Sequence, residues 1–194
     1  MQVKASVIMT AFFVAVGALA SCGDPTGIQT YPNVDAQITV YALTGSAPNA
    51  PSAFAVSSPS ATVVTPTFAF DVAFDLNPSN QVVIYSPKML ANQLTNVQKV
   101  GFQLTTQTFS QVTQAPKTGY VYDTLMIVPP NNTVLVDASS NQCAYSLSGT
   151  SRRAKFTVDS VSLAKRAMYV HVFADLNCGF KDLSTDPATG SPKG

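Results

Sequence analysis

The sequence has no glutamate, no tryptophan, a single histidine and few charged residues of any kind. Charged residues make up 11% of its 194 residues, and 11 lysines and arginines nearly balance 10 aspartates. Helical bundles and coiled coils are rich in Glu, Lys, Leu and Arg, so this composition excludes them. A disordered chain has low hydrophobicity, whereas 46% of these residues are hydrophobic. The formal net charge of +1 excludes nucleic acid as the expected partner.

Apolar and polar residues alternate along much of the chain after residue 33, which predicts β-strands. The clearest alternation is in residues 67–76. It predicts that Phe68, Phe70 and the later even-numbered residues face a core, and that Asp71 and Asp75 face water. A turn at 77–80 and a return strand at 81–86 predict a hairpin. The other predicted strands are 35–43, 99–105, 120–128, 133–137, 142–147, 154–163 and 167–176.

This strand spacing predicts an all-β fold, namely an antiparallel β-sandwich of about 8–10 strands that is Ig-like in architecture. Residues 34–183 are long enough to bury one core, and we expect them to form one domain. Residues 44–66 are rich in proline and serine and are expected to interrupt the strands. Residues 184–194 contain Pro, Gly and Ser and predict a flexible C-terminal tail.

The first 21 residues predict a leader for export. Lys4 supplies a positive start, residues 5–20 form an apolar run, and Ser21-Cys22 follow its last two residues, Leu19-Ala20. The run is shorter than the roughly 20 residues that a transmembrane helix needs, and its length suits a secretory signal peptide.

The segment Leu19-Ala20-Ser21-Cys22 resembles the lipobox of bacterial lipoproteins. The resemblance implies a signal peptide at 1–21, a lipid attached to Cys22, and a tether at 22–33. It further implies an envelope protein anchored on the periplasmic side. The outer membrane is favoured because Gly23, rather than the Asp that often retains such proteins at the inner membrane, follows the cysteine, although Asp24 comes next. The alternatives are an ordinary signal peptide with a chance cysteine and an uncleaved membrane anchor.

The two other cysteines, Cys143 and Cys178, lie on predicted core faces of their strands. Disulfides persist in exported proteins, so we expect these two to pair. The bridge would close a loop of about 35 residues and stabilise the fold by roughly 3–4 kcal/mol. Two free buried thiols are the alternative. Two cysteines and one histidine are too few for a closed zinc site.

Residues 175–182 partly resemble an oxygen-ligand loop for calcium. Asp175, Asn177 and Asp182 are the candidate ligands, but the bidentate glutamate of such loops is missing. An Asx turn that ends the last strand is the simpler interpretation. Calcium is therefore the one possible cofactor, and the turn is the favoured reading.

Five basic residues cluster in the sequence, and they are Arg152, Arg153, Lys155, Lys165 and Arg166. If the last two strands form a hairpin, the cluster divides between its two ends. Solvated loop charges are the favoured interpretation. Contact with anionic headgroups or with an acidic partner is the alternative.

Few residues could support catalysis. His171, on a predicted strand, is expected to be a half-buried packing residue, and no G-x-S-x-G segment accompanies it. Paired-carboxylate chemistry is weakened by the absence of glutamate. The sequence therefore predicts a protein that is not an enzyme.

The predicted surface is polar but almost uncharged, as in residues 104–115, which favours a standing protein partner. We expect a non-catalytic binding or scaffold module, for example an accessory subunit of a larger membrane protein complex. The alternative is an envelope lipoprotein that binds a small ligand or glycan, with Tyr120, Tyr122 or Tyr169 as stacking surfaces. A hydrolase with an unrecognised site is the third possibility.

Overall fold

A computed structural model describes residues 31–67, 69–91, 98–146 and 149–184, and two antiparallel sheets account for most of them. This confirms the all-β sandwich, although the Ig-like architecture stays a prediction. The described residues contain eleven strands, slightly more than expected, and little helix. The strands are β1 Val34–Tyr41, β2 Ala53–Ala55, β3 Ser58–Thr62, β4 Val72–Leu76, β5 Val82–Tyr85, β6 Val100–Thr105, β7 Val121–Tyr122, β8 Leu125–Val128, β9 Thr133–Ser139, β10 Ser151–Ser162 and β11 Ala167–Asp175.

Two short helical turns accompany the strands: α1 spans Pro87–Leu90, and a 3₁₀ turn spans Asn141–Cys143. Among the described residues, no helix is both long enough and apolar enough to cross a bilayer. The predicted leader, Cys22, most of the tether and nearly all of the C-terminal tail lie outside the described residues.

The sheets have the strand orders β1-β11-β10-β9-β6-β7 and β3-β2-β4-β5-β8. The predicted hairpins β4–β5 and β10–β11 are both present. Residues 120–128, predicted as one strand, form two. The chain turns at Asp123, which has a φ of 52°, so that β7 joins the six-stranded sheet and β8 the five-stranded one.

The core lies between the sheets and is built from the alternating apolar residues of both. At its centre the ring of Phe156 meets those of Phe54 and Phe74 edge-on, with centroids 5.7 and 5.5 Å apart. Buried aromatic side chains of this size each contribute about 1.5–3 kcal/mol through the hydrophobic effect. The period-two pattern therefore identified most of this core correctly.

The alternation in residues 67–76 is a poorer guide, because only Val72–Leu76 forms a strand and all five of its residues are buried. Asp71 is 3% exposed and Asp75 is 9% exposed, so the predicted water-facing side is wrong. That outer side is covered by a second apolar cluster, in which Phe70 packs with Ala53 and Ala73. Phe70 is thus outside the main core. Phe68 lies outside the described residues.

The predicted strand at 142–147 is wrong for the residues described there. The Ser140 side chain accepts the Gln142 backbone N–H and starts the 3₁₀ turn instead, and Tyr145 is 97% exposed. Conversely, the proline-rich segment 44–66 contains two strands, β2 and β3. Pro59 is accommodated because β3 is an edge strand, where a residue without an N–H need not cost a hydrogen bond to a neighbouring strand.

Candidate functional site: an open edge of the sandwich

One side of the sandwich is formed by residues 121–128, which we call the open edge. Its strands β7 and β8 are the last strands of the two sheets. Within the described part of the chain, no strand pairs with the outer side of either. Val121 is 57% exposed, and Leu125 and Ile127 are each 45% exposed. An apolar surface therefore lies beside unpaired strand backbone.

The open edge is held firmly to the sandwich by its corner. The backbone N–H of Asp123 donates to the Val100 carbonyl at 2.9 Å, and that of Ser86 donates to the Thr124 carbonyl at 3.1 Å. The Lys88 ammonium and the Asp123 carboxylate form an exposed ion pair at 3.1 Å, a contact that contributes at most about 1 kcal/mol. Both strands of the open edge are therefore held in place by the rest of the fold.

Exposed edge strands in soluble proteins are commonly protected by lysine, proline or a bulge, since unpaired backbone groups attract other strands. The sequence of β8, Leu-Met-Ile-Val, carries no charge, and proline appears only after it, at Pro129 and Pro130. Such an edge can accept an extended segment of another protein, with backbone hydrogen bonds supplying affinity and side-chain contacts supplying specificity.

Unlike the open edge, the outer face of the six-stranded sheet is covered, because the loop after β6 packs on it. Lys155 on β10 is fully buried there. Its ammonium donates to the carbonyls of Phe109 and Val112 at 2.6 and 2.7 Å and lies 4.4 Å from the Phe109 ring centroid. Burial lowers the pKa of Lys155 to about 8. Its role here is to hold the loop on the sheet.

A second polar network lies on the same face of the sheet, at Arg153, two residues before Lys155 on β10. The Arg153 guanidinium pairs with Asp137, whose carboxylate also accepts the Tyr122 hydroxyl. Arg153 lies 5.3 Å from the centroid of the Tyr120 ring. Burial lowers the pKa of Arg153 and raises that of Tyr120 to about 12. The network joins β7 to β9 and β10, and it supports the open edge from behind.

The five clustered basic residues do not form one surface. Arg152, Arg153 and Lys155 lie at one end of the β10–β11 hairpin, and the other two lie at its turn, as expected. Of the five, only Lys165 is exposed. Arg166 donates to the Thr44 carbonyl at 2.6 Å and to the Leu76 carbonyl at 3.2 Å. The interpretation as solvated loop charges is thus wrong for most of them, because their charged groups form hydrogen bonds or ion pairs with other residues of the domain.

The candidate calcium ligands are engaged in local hydrogen bonds. Asp175 Oδ1 accepts the Asn177 backbone and side-chain N–H groups at 2.9 and 3.0 Å. Asn177 Oδ1 accepts the Tyr31 N–H, and Asp182 Oδ1 accepts the Ser184 N–H. Burial raises the pKa of Asp175 to about 6. No metal-binding group of three or more such side chains occurs among the described residues. The geometry is that of the Asx turn, and calcium stays a prediction.

The predicted disulfide between Cys143 and Cys178 is present, with Cα atoms 5.4 Å apart. It joins the 3₁₀ turn after β9 to the segment after β11. The same two segments approach closely nearby, because a Cβ on Gly149 would come within 2.8 Å of the Gly179 Cα. Glycine is therefore required at that crossing.

His171 is a half-buried packing residue, as predicted. Its Nε2 contacts the Asp35 carboxylate at 2.5 Å, and its ring stacks on Phe109 with centroids 4.0 Å apart.

Of the three tyrosines proposed as alternative stacking surfaces, Tyr120 and Tyr122 are neighbours, with ring centroids 6.4 Å apart, and Tyr169 lies apart from them. Tyr120 is buried, whereas Tyr122 and Tyr169 are partly exposed. Four strand spacings separate β7 from β11, which is about 19 Å at ~4.8 Å per strand. The two exposed rings therefore cannot contact one sugar.

No family model matches the chain, and no curated protein or solved structure is significantly similar to it.

Proposed function

We propose that this protein is a non-catalytic binding or scaffold module, lipid-anchored in the bacterial envelope, that holds a partner protein at the open edge. The observation that carries the proposal is the exposure of Leu125 and Ile127 on an uncharged edge strand. The partner would add an extended segment to β8 and place apolar side chains against these two residues. A role as accessory subunit of a larger membrane protein complex fits this mode of binding.

The proposed anchor is Cys22, on the strength of the lipobox-like segment that precedes it. The disulfide between Cys143 and Cys178 supports an exported location, because such bridges persist in oxidising compartments. An anchored domain searches for its partner along a membrane surface, which raises the effective concentration of both. We place the protein on the periplasmic side, with the outer membrane favoured.

Substitution of the edge tests the binding proposal. Ile127→Lys puts a charge on the proposed contact, and we expect it to release the partner from the protein extracted in mild detergent. Leu163→Lys is the matched control, since Leu163 is 52% exposed in the β10–β11 turn and away from the edge. Size-exclusion chromatography with mass determination is the measurement. If both variants keep the wild-type assembly, or the wild type is itself a lone monomer, the proposal fails.

Intact mass tests the anchor independently. Protein extracted from membranes should have the mass of residues 22–194 plus acyl chains, and Cys22→Ala should abolish the lipid mass. A mass equal to the unmodified chain of 194 residues would contradict lipidation at Cys22.

A further inference from the structure

A small pocket opens between the two sheets at the end of the sandwich that carries the disulfide. Its volume is about 250 Å³. The β2–β3 turn and the segment before β4 form one wall, and the end of β9 and the start of β10 form the other. One bulk water occupies about 30 Å³, so the pocket has room for a small organic molecule.

One wall of the pocket presents the buried carboxylate of Asp71. Its Oδ2 accepts the Val56 backbone N–H and its Oδ1 accepts the Gln98 side-chain N–H, both at 2.6 Å. A carboxylate has about four acceptor positions, so these two bonds leave capacity for a ligand. Burial raises the pKa of Asp71 to about 6, although both donors and the charge of Arg152 act in the other direction.

The other wall presents the guanidinium of Arg152. Its Nε donates to the Leu176 carbonyl at 2.8 Å, and its Nη1 donates to the Ser140 hydroxyl at 3.3 Å. These contacts fix the plane of the group. A guanidinium has five N–H donors, so further donors remain for a ligand. The exposed amides of Asn141 and Gln142 form the rim beside it.

Asp71 and Arg152 line the same pocket but form no ion pair with each other. Two fixed opposite charges across a small cavity are complementary to a molecule that carries both charges a few bonds apart. A neutral sugar would leave both groups without a counter-charge, and a simple ion would compensate only one of them.

We propose that this pocket binds a small zwitterion of amino-acid size, with its ammonium group at Asp71 and its carboxylate at Arg152. The apolar part of the ligand lies against Val56 and Ala138. The site is separate from the open edge and goes beyond the proposed scaffold role. It uses none of the residues of β7 or β8.

Isothermal titration of the full-length protein in detergent tests the proposal. The probes are glycine, alanine, serine, lysine and glutamate, with glucose, methylammonium and acetate as comparison compounds. We expect saturable binding of at least one amino acid that is stronger than binding of any comparison compound. Loss of a charge-assisted hydrogen bond corresponds to about tenfold to a hundredfold in affinity, which is the effect expected for Asp71→Asn and for Arg152→Gln.

Asp71→Asn is designed to keep the fold, because an asparagine carbonyl can still accept the Val56 N–H and the Gln98 amide can turn to accept from the new amide. Asp159→Asn and Lys165→Gln are controls at exposed positions and should leave affinity unchanged. If a charge variant fails to fold, Ala55→Leu fills the pocket without altering either charge and should abolish binding. Saturable binding of glucose alone, no saturable binding of any probe, or amino-acid binding that survives every pocket variant would overturn the proposal.

Discussion

The sandwich has two sides, one formed by the end strands β1 and β3 and the other by the end strands β7 and β8, and they differ in how far their apolar residues are buried. On the side of β1 and β3, two backbone hydrogen bonds connect the two sheets. The N–H of Tyr41 donates to the Pro51 carbonyl, and the N–H of Leu43 donates to the Phe74 carbonyl. Val40 and Ala42 are fully buried there. β1 and β3 are end strands of their sheets too, so strand pairing does not distinguish the two sides. What differs is that the fold buries the apolar residues of the first side and leaves Leu125 and Ile127 of the open edge exposed.

That difference indicates a division of roles between the two sides. The covered side contributes to stability, since its apolar residues are removed from water. The open edge contributes little to stability, because Leu125 and Ile127 remain about half exposed. An apolar side chain left in water on a fixed strand is available for binding.

Removal of the disulfide should have the largest effect on stability. Replacing Cys143 and Cys178 with serine should lower the free energy of unfolding by roughly 3–4 kcal/mol, because the loop between them regains entropy in the unfolded chain. Urea denaturation measures the change. Binding at the open edge should persist in whatever fraction stays folded. Loss of the partner from folded protein would show that the edge depends on the distant bridge.

Asp71, at the end of the sandwich that carries the disulfide, should make stability sensitive to pH. Its pKa is about 6 in the folded protein and 3.8 in the reference state, so the folded protein binds the proton more tightly. The contribution of this carboxyl group to the free energy of unfolding is therefore greatest below pH 3.8, and it is lost as the pH rises through about 6. Asp71→Asn should match the wild type near pH 4 and be more stable at pH 7.5, by up to about 3 kcal/mol. Urea denaturation at both pH values checks the sign, and a variant less stable than wild type at pH 7.5 would refute it.

A matched pair of truncations compares the two sides directly. Val40→Ala on the covered side should cost about 2 kcal/mol, since it removes buried methyl groups and leaves a cavity. Ile127→Ala on the open edge should change stability by less than about 0.5 kcal/mol. Thermal and urea unfolding give both values. Equal costs would mean that the two sides contribute alike to the fold.

The ion pair at the corner of the open edge should have the smallest effect. Lys88→Ala removes the partner of Asp123 and should cost no more than about 1 kcal/mol, because water already screens the pair. The loss should shrink further in high salt. A cost of several kcal/mol that salt does not alter would assign the corner a structural role.

Much of the fold could be predicted from the sequence wherever strands alternate cleanly. The β10–β11 hairpin follows from periodicity, and the pairing of Cys143 with Cys178 is expected for an exported protein. The open edge could not be identified in this way. Its β8 strand reads Leu-Met-Ile-Val, and a strand that is apolar on both faces does not reveal which residues point outward.

The burial of Asp71, Asp75 and Lys155 could not be predicted from the sequence for a related reason. Asp71 alternates with apolar residues as a solvent-facing residue would, but its carboxylate is enclosed between the sheets, where it accepts the N–H groups of Val56 and Gln98. Lys155 is buried by the loop that carries Phe109 and Val112, more than 40 residues earlier in the chain. Contacts over such separations leave no local pattern in the sequence.

Site-specific photo-crosslinking in the native host shows whether a partner protein binds at the open edge. A photoreactive amino acid would be placed at Leu125, at Ile127 and, for comparison, at Tyr169 on the outer face of the other sheet, where the side chain is 40% exposed. Binding at the open edge predicts that the two edge positions link to the same partner protein and that position 169 does not. A crosslink to that partner from position 169 alone, or from none of the three, would contradict it.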